Sequence, residues 1–215
     1  MRKLLLFFLV LSIPQCVVSQ ALDTLRYKHY LFVAQPVPET VKVRMQGKTM
    51  PQSATVSFDE LNYLIVFHYD YDGRIRKGEL VCNKTIAKDL LYVFRALFSM
   101  AYPINSIRLV DDFDASDEAS MQANNTSCFN YRKKTGMRSL SKHALGLAVD
   151  INPFENPYVR SSGVKPSGSA LFADRNRDFP HKIDRNDLCP RPFREHGFSW
   201  GGTWRSVKDY QHFEK

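Results

Sequence analysis

The chain has 215 residues, of which 44% are hydrophobic and 24% are charged, and its formal net charge is +8. This length suits one domain with short extensions, and the balance of apolar and charged residues is that of an ordinary globular protein. The composition therefore excludes a wholly disordered chain, a collagen-like repeat and a small disulfide-rich scaffold.

The first twenty residues have the layout of a secretory signal peptide. Arg2 and Lys3 precede an almost wholly apolar run, residues 4–13, which is followed by a zone of small residues. The run is shorter than the ~20 residues that cross a bilayer, so we expect residues 1–20 to be removed on export, leaving a soluble protein in the periplasm, cell wall or extracellular space. The alternative is an uncleaved N-terminal anchor. Lipidation at Cys16 is disfavoured because the preceding residues are not small.

The charge of the mature chain points to an anionic partner. Residues 1–20 hold two of the positive charges and none of the negative ones, so the remaining chain carries +6. For an exported protein we expect this charge to favour a cell-wall polymer or a membrane surface rather than nucleic acid. The alternative is that the charge only aids solubility.

Three cysteines follow the leader, and none belongs to a CxxC pair: Cys82, Cys128 and Cys189. A structural zinc finger is therefore not supported. One intrachain disulfide and three free thiols packed in the core are both compatible with the sequence.

The first half of the chain predicts strands followed by one long helix. Residues 21–40 are polar and contain two prolines, which indicates an extended lead-in. β-branched and aromatic residues predict strands at residues 41–45 and 63–68, and residues 70–73 have the composition of a turn. Apolar residues at helical spacing predict a helix over residues 85–101.

The second half predicts shorter elements. Strands are expected at residues 107–110, 126–132 and 147–151 and from residue 212, with short helices at residues 116–123 and 191–196. Polar composition over residues 160–188 predicts a long surface excursion. Because strands and helices do not alternate regularly, we predict an α+β fold in which helices flank a small antiparallel sheet.

Two histidines stand among residues suited to a catalytic metal. A catalytic zinc takes three nitrogen or oxygen ligands, keeps a position for water and needs a carboxylate to accept the water's proton. His143, Asp150 and His212 provide such a ligand set, and Asp209, expected in a turn before the last strand, provides the base. Ala148 shares a strand face with Asp150 and leaves room for a metal. Other divalent ions also fit this ligand set.

Three motifs occur in order: SxHxxGxAxD at residues 141–150, GGxW at 201–204 and DxxHFE at 209–214. Together they resemble the zinc D-Ala-D-Ala carboxypeptidase family of peptidoglycan metallopeptidases, which includes VanY-type enzymes and L-alanyl-D-glutamate endopeptidases. The similarity covers about half of the chain. It implies a fold like that of hedgehog domains and DD-peptidases, with one catalytic Zn²⁺.

The resemblance also implies roles for single residues. The metal ligands that it implies are His143, Asp150 and His212. Asp209 matches the catalytic acid/base, and Arg132 matches an arginine that polarises the scissile carbonyl or holds a substrate carboxylate; an ordinary surface salt bridge is its alternative. Ser141 matches a serine that contacts substrate or orients the histidine loop. Glu214 either fixes His212 or is simply exposed.

Two tryptophans have alternative interpretations. Trp200 and Trp204 either floor a substrate groove or fill the core beneath the metal loop, and core packing is favoured.

The sequence therefore predicts three regions: a leader at residues 1–20, an N-terminal extension with part of the domain at 21–105, and a zinc peptidase core at 106–215. The predicted function is hydrolysis of peptidoglycan stem peptides by metal-activated water, at the D-Ala-D-Ala or the L-Ala-D-Glu bond. The alternative is a non-catalytic, zinc-stabilised wall-binding or signalling module of the same fold. Neither nucleic-acid binding nor membrane insertion of the mature chain is expected, and the sequence leaves the oligomeric state open.

Overall fold

The computed structural model describes residues 32–133 and 139–215. The predicted leader, and most of the predicted lead-in at residues 21–31, lie outside the described residues. In the described part the helices are α1 (Glu39–Met45), α2 (Lys84–Ser99), α3 (Asp117–Gln122) and α4 (Pro190–Glu195). Its strands are β1 (Val33–Pro36), β2 (Leu61–Tyr69), β3 (Ile75–Asn83), β4 (Ser106–Ile107), β5 (Asn125–Thr126), β6 (Ala148–Asp150), β7 (Tyr158–Arg160), β8 (Gly163–Lys165), β9 (Ser199–Trp200), β10 (Lys208–Asp209) and β11 (His212–Glu214).

The longest strands form an antiparallel sheet in the order β1-β2-β3. β2 and β3 pair along nine residues, from Leu61 opposite Asn83 to Tyr69 opposite Ile75. The turn that joins them follows the prediction for residues 70–73, since the Gly73 N–H donates to the Asp70 carbonyl at 3.0 Å. The predicted strand over residues 63–68 is confirmed and extends further at both ends.

Helix α2 covers one face of this sheet. Its start is capped by Asn83, whose side chain accepts a hydrogen bond from the Thr85 N–H. Its buried side chains recur at helical spacing: Ile86, Ala87, Leu90, Val93, Phe94, Leu97 and Phe98. The predicted helix is therefore confirmed, with bounds two residues short of the expected end.

Two small antiparallel sheets in the second half carry the motif residues. One has the order β6-β11-β9 and sets Asp150 opposite His212. The other has the order β10-β7-β8 and sets Asp209 opposite Tyr158. The predicted strands at residues 147–151 and from residue 212 are confirmed in shortened form, as are the helices capped by Ser116 and ended before Gly197.

The described residues form a mixed fold of small, mostly antiparallel sheets and few helices, which is compatible with the predicted α+β class. The main core cluster joins both halves of the chain, since Leu64 and Leu90 pack in it together with Val149, Phe193 and Phe213. All three cysteines are buried in the structure as free thiols, so the free-thiol alternative holds in this structure. No helix among the described residues is long and apolar enough to span a bilayer.

The strand predicted at residues 41–45 is wrong, because these residues lie in α1. In a strand Val41, Val43 and Met45 would share one face. Here Val41 and Met45, four residues apart on a helix, are 4% and 1% exposed, whereas Val43 is 64% exposed. The extended Pro38 stands at the N-cap of this helix.

Two further strand predictions are mostly wrong. Residues 107–110 leave β4 after Ile107 and enter a 3-10 helix, Val110–Phe113, where Asp111 accepts hydrogen bonds from Thr49. Residues 126–132 form strand only at Thr126, and an isolated bridge pairs the next residue, Ser127, with Asp150. Beyond it single backbone bonds replace a ladder: Phe129 N–H donates to the Val81 carbonyl and Asn130 N–H to the His143 carbonyl.

Residues 160–188 are more structured than a surface excursion. They include β8 and a 3-10 helix, Ser169–Ala173, and Ile183 is fully buried. The Arg175 guanidinium donates to the carbonyls of Glu155 and Ile183 at 2.9 and 2.8 Å. A partly buried arginine thus ties the segment to the body of the protein, which composition alone does not reveal.

Candidate metal centre and active site

His143, Asp150 and His212 meet at one point, although 69 positions separate the two histidines. His143 begins a 3-10 helix, His143–Leu145, while Asp150 and His212 face each other on β6 and β11. All three are buried, with exposures of 4%, 7% and 6%. The strand register and one tight loop therefore bring the three predicted ligands together.

Each imidazole has its outer nitrogen fixed by an acceptor. Nδ1 of His143 lies 2.6 Å from the Cys128 carbonyl, and Nε2 of His212 lies 3.0 Å from Glu214 Oε2. Both acceptors take an N–H, so the lone pairs of His143 Nε2 and His212 Nδ1 remain for a common centre. Of the two alternatives for Glu214, the structure therefore agrees with the one in which it contacts and orients His212.

The spacing of the inner atoms suits one small cation. His143 Nε2 lies 3.2 Å from both His212 Nδ1 and Asp150 Oδ2, and His212 Nδ1 lies 2.9 Å from Asp150 Oδ1. Nitrogen and oxygen ligands about 2.0–2.1 Å from a tetrahedral ion stand about 3.3 Å from one another. The described side chains therefore fit a divalent ion with one carboxylate and two imidazole ligands.

The surroundings of this centre favour positive charge. Burial by itself lowers the pKa of His212, but hydrogen bonds to Asp150 and Glu214 outweigh it and raise that pKa to about 10. Burial likewise opposes ionisation of Asp150, but the two histidines hold the pKa of this carboxyl far below its usual range. A cation among these groups is thus electrostatically stabilised.

The centre lies in a cavity of about 260 Å³. Its wall consists of polar and charged side chains with a few apolar ones: Asp117, Met121, Arg132, Ser141, Lys142, His143, Asp150, Tyr158, Lys165, Trp204, Val207, Asp209, Gln211, His212 and Glu214. Every residue that the sequence predicted for the site is among them.

Asp209 lines this cavity and has a free carboxylate atom. Its Oδ1 is buried and has no hydrogen-bond partner among the described residues. Burial is the main cause that raises the pKa of Asp209 to about 7, and the nearby Asp150 adds to it, while the two histidines oppose it. The expected turn position is wrong, since Asp209 ends the short strand β10 and the bend follows it. A carboxyl of this kind can exchange a proton near neutral pH.

Arg132 reaches the same cavity. Its guanidinium forms an ion pair with Asp117 of α3 at 3.0 Å, and its Nε is buried with no acceptor in the described part of the chain. The salt-bridge alternative is therefore correct as a contact, but the pair lines the cavity instead of lying on open surface.

The sequence around the candidate ligands resembles a known protein family. A family model described as D-alanyl-D-alanine carboxypeptidase matches residues 135–215. This part of the chain is similar to that family of zinc peptidoglycan metallopeptidases. No curated protein sequence and no solved structure matches the chain. The match includes the three candidate ligands and Asp209 but not Arg132.

The loop that carries His143 of the SxHxxGxAxD motif is held from several sides. Ser141 Oγ accepts from the Ala144 N–H at 3.1 Å, which is the loop-orienting alternative for this serine. Gly146 has a φ of +66°, and a Cβ on it would lie 2.6 Å from the Asn83 backbone nitrogen. Asn83 in turn donates its N–H to the Gly146 carbonyl at 2.9 Å.

The two tryptophans occupy different places, so each fits one of the two alternatives. Trp200 packs on the core, stacked with Phe213, and its Nε1–H donates to the Tyr210 carbonyl at 2.8 Å. Trp204 lines the cavity with its ring centre 5.3 Å from that of His212, so core packing is wrong for this residue.

The sequence does not indicate several residues of this cavity. Tyr158 and Lys165 lie on strands too short to recognise, and only the alternation of their neighbours could have indicated them. The Cys128 contact uses a backbone carbonyl, for which no side-chain pattern exists. Asp117 was treated only as part of a helix start.

Proposed function

We propose that the chain is an exported zinc metallopeptidase that hydrolyses peptidoglycan stem peptides, with a fold like that of hedgehog domains and DD-peptidases. One observation carries the proposal: two imidazoles and a carboxylate converge within 3.2 Å of each other in a cavity that also holds Asp209. The match of residues 135–215 to the family model supports the peptidase class.

The proposed ligands are His143 through Nε2, His212 through Nδ1 and the Asp150 carboxylate. When bound, zinc lowers the pKa of a water molecule and polarises a carbonyl oxygen. Water and substrate carbonyl would then stand in the cavity next to Asp209.

Asp209 then acts as acid/base. Its free Oδ1 accepts the proton of the attacking water and afterwards delivers it to the nitrogen of the leaving amine. Arg132, held by Asp117, donates N–H groups to the developing oxyanion or to a substrate carboxylate. Trp204 and Ser141 form the nearby wall of the proposed substrate site.

The direct test is digestion of purified stem peptides by the zinc-loaded chain, followed by mass spectrometry. Loss of one alanine identifies D-Ala-D-Ala cleavage, and release of a fragment ending in L-Ala identifies the endopeptidase. Asp209→Asn should lower turnover by about 10²- to 10⁴-fold while zinc stays bound, because only the proton carrier is lost.

Two outcomes would contradict the proposal. Undiminished turnover by the Asp209→Asn variant would refute the assignment of the base. A zinc-bound wild type that cleaves no stem peptide would favour the non-catalytic wall-binding or signalling module.

The export proposal rests on the sequence of residues 1–20 and on the wall-directed family of residues 135–215. N-terminal sequencing of the secreted protein tests it: cleavage near residue 20 is expected, and a start at Met1 would contradict it.

A further inference from the structure

Three cavity residues form a row across one small sheet. Asp209 on β10 is directly opposite Tyr158 on β7, and Tyr158 is directly opposite Lys165 on β8. Side chains at directly paired positions point to the same face of a sheet. With neighbouring strands about 4.8 Å apart, the backbone of Lys165 lies roughly 10 Å from that of Asp209. The row therefore leads away from the proposed base along the cavity wall.

Lys165 differs from the other cations of the cavity because its ammonium group has neither a hydrogen-bond nor an ion-pair partner among the described residues. Arg132 is paired with Asp117 at 3.0 Å, and Lys142 Nζ donates to the Lys215 carbonyl at 3.1 Å. Within residues 32–133 and 139–215, Lys165 makes no ion pair, although it is only partly exposed. The ammonium group is thus available to an anion that enters the cavity.

The proposed chemistry sets the direction in which the substrate runs. Asp209 returns its proton to the leaving amine, so the residue that owns this amine must start beside Asp209. Tyr158 and Lys165 continue the wall from that point. Both candidate bonds release a residue with a free α-carboxylate: the terminal D-alanine, or the D-glutamate that is linked onward through its side chain.

We propose that Lys165, with Tyr158 beside it, binds the free α-carboxylate of the residue on the leaving side of the scissile bond. The inference rests on the proposed peptidase function and deepens it by naming a group that the substrate must carry. A charge-assisted hydrogen bond to an ammonium group is the expected contact, and Tyr158 forms the wall between that contact and the base. Lys165 then determines specificity and takes no part in proton transfer.

Four peptides test this inference with the zinc-loaded chain. One pair ends in D-Ala-D-Ala as the free acid or as the terminal amide, and the other contains L-Ala-γ-D-Glu with its α-carboxyl free or amidated. The variants are Lys165→Met and Lys165→Arg, with Lys77→Met as control, because Lys77 is an exposed lysine of β3 outside the cavity. kcat/KM is measured for every combination, and bound zinc is measured for every variant.

Lys165→Met should lower kcat/KM for the cleaved free acid by about 10- to 100-fold, the range expected for a hydrogen bond to a charged group. Its effect on the matching amide should stay below about threefold, since the amide has no charge to lose. Lys165→Arg should recover most of the loss, and Lys77→Met should match the wild type, with bound zinc unchanged throughout. The pair that is cleaved identifies which residue supplies the carboxylate.

Equal losses on acid and amide, or no loss on either, would overturn the role of Lys165 while leaving the peptidase proposal in place. If the wild type turned over none of the four peptides, the proposed function itself would be refuted, and this inference would fall with it.

Discussion

Gly201 occupies a position where no side chain fits. A Cβ there would lie 2.6 Å from the Asp209 carbonyl oxygen and 2.8 Å from the Asp209 Cβ. Real Cβ atoms do not approach other atoms this closely, and neither a carbonyl oxygen nor a Cβ can rotate away. The first glycine of the GGxW motif therefore allows β10 to bring Asp209 into the cavity.

Gly201→Ala should accordingly displace Asp209. A shift of about 1 Å in a reacting group costs about 100-fold in rate, so we expect a loss of that size in kcat on the cleaved stem peptide. Bound zinc should persist because the three ligands lie on other elements. Arg205→Ala, an exposed change four residues along, is the matched control. Wild-type kcat in the Gly201→Ala variant would show that this close approach is unimportant for activity.

Asn83 links the end of β3 to the loop that carries His143. Its side-chain oxygen caps α2 by accepting from Thr85, while its side-chain nitrogen donates to the Leu145 carbonyl at 3.2 Å. Residues outside the family match thus hold a loop inside it. Because a ligand's orientation depends on such contacts, Asn83 is a positioning residue for the metal centre.

Asn83→Asp separates the two contacts. Aspartate keeps the capping oxygen but lacks the N–H that reaches Leu145, so Tm should change little. Zinc affinity should weaken by about tenfold or more, in the range seen when groups that orient ligands are lost. Isothermal titration with zinc measures the affinity. Thr85→Ala serves as a control because it removes only the hydroxyl that also donates to the Asn83 side-chain oxygen, at 2.8 Å. Wild-type zinc affinity in Asn83→Asp would mean that Asn83 merely caps the helix.

The sequence predicts those elements whose residue pattern lies within one continuous segment. The helix α2 and the strand from residue 61 have long apolar patterns, and the metal residues lie in compact motifs. The strand prediction for residues 41–45 is wrong because Val41 and Val43 are residue types that favour strands. Pro38 at the N-cap and the burial of Met45 favour the helix α1 instead. The sequence does not indicate Lys165 because its place in one row with Tyr158 and Asp209 depends on pairing between strands of three and two residues.

The two halves of the chain share one core. Leu64 and Leu90 from the first half pack in the same cluster as Phe193 and Phe213 from the second, and Phe213 is the residue next to His212. The strands β6 and β11, which carry two of the candidate ligands, therefore pack on a core to which the first half of the chain contributes. Closely packed interiors transmit small displacements, so the position of the centre depends on residues far from it in sequence.

The most direct measurement is the metal content of the purified chain after dialysis against metal-free buffer, by inductively coupled plasma mass spectrometry. The wild type should retain about one zinc per chain, and His143→Ala, Asp150→Ala and His212→Ala should each lose most of it, because three ligands are the minimum of such a site. His196→Ala, a histidine outside the cavity that faces Asp89, should keep the wild-type content. A wild type without any divalent ion, or ligand variants that keep a full zinc, would contradict the account.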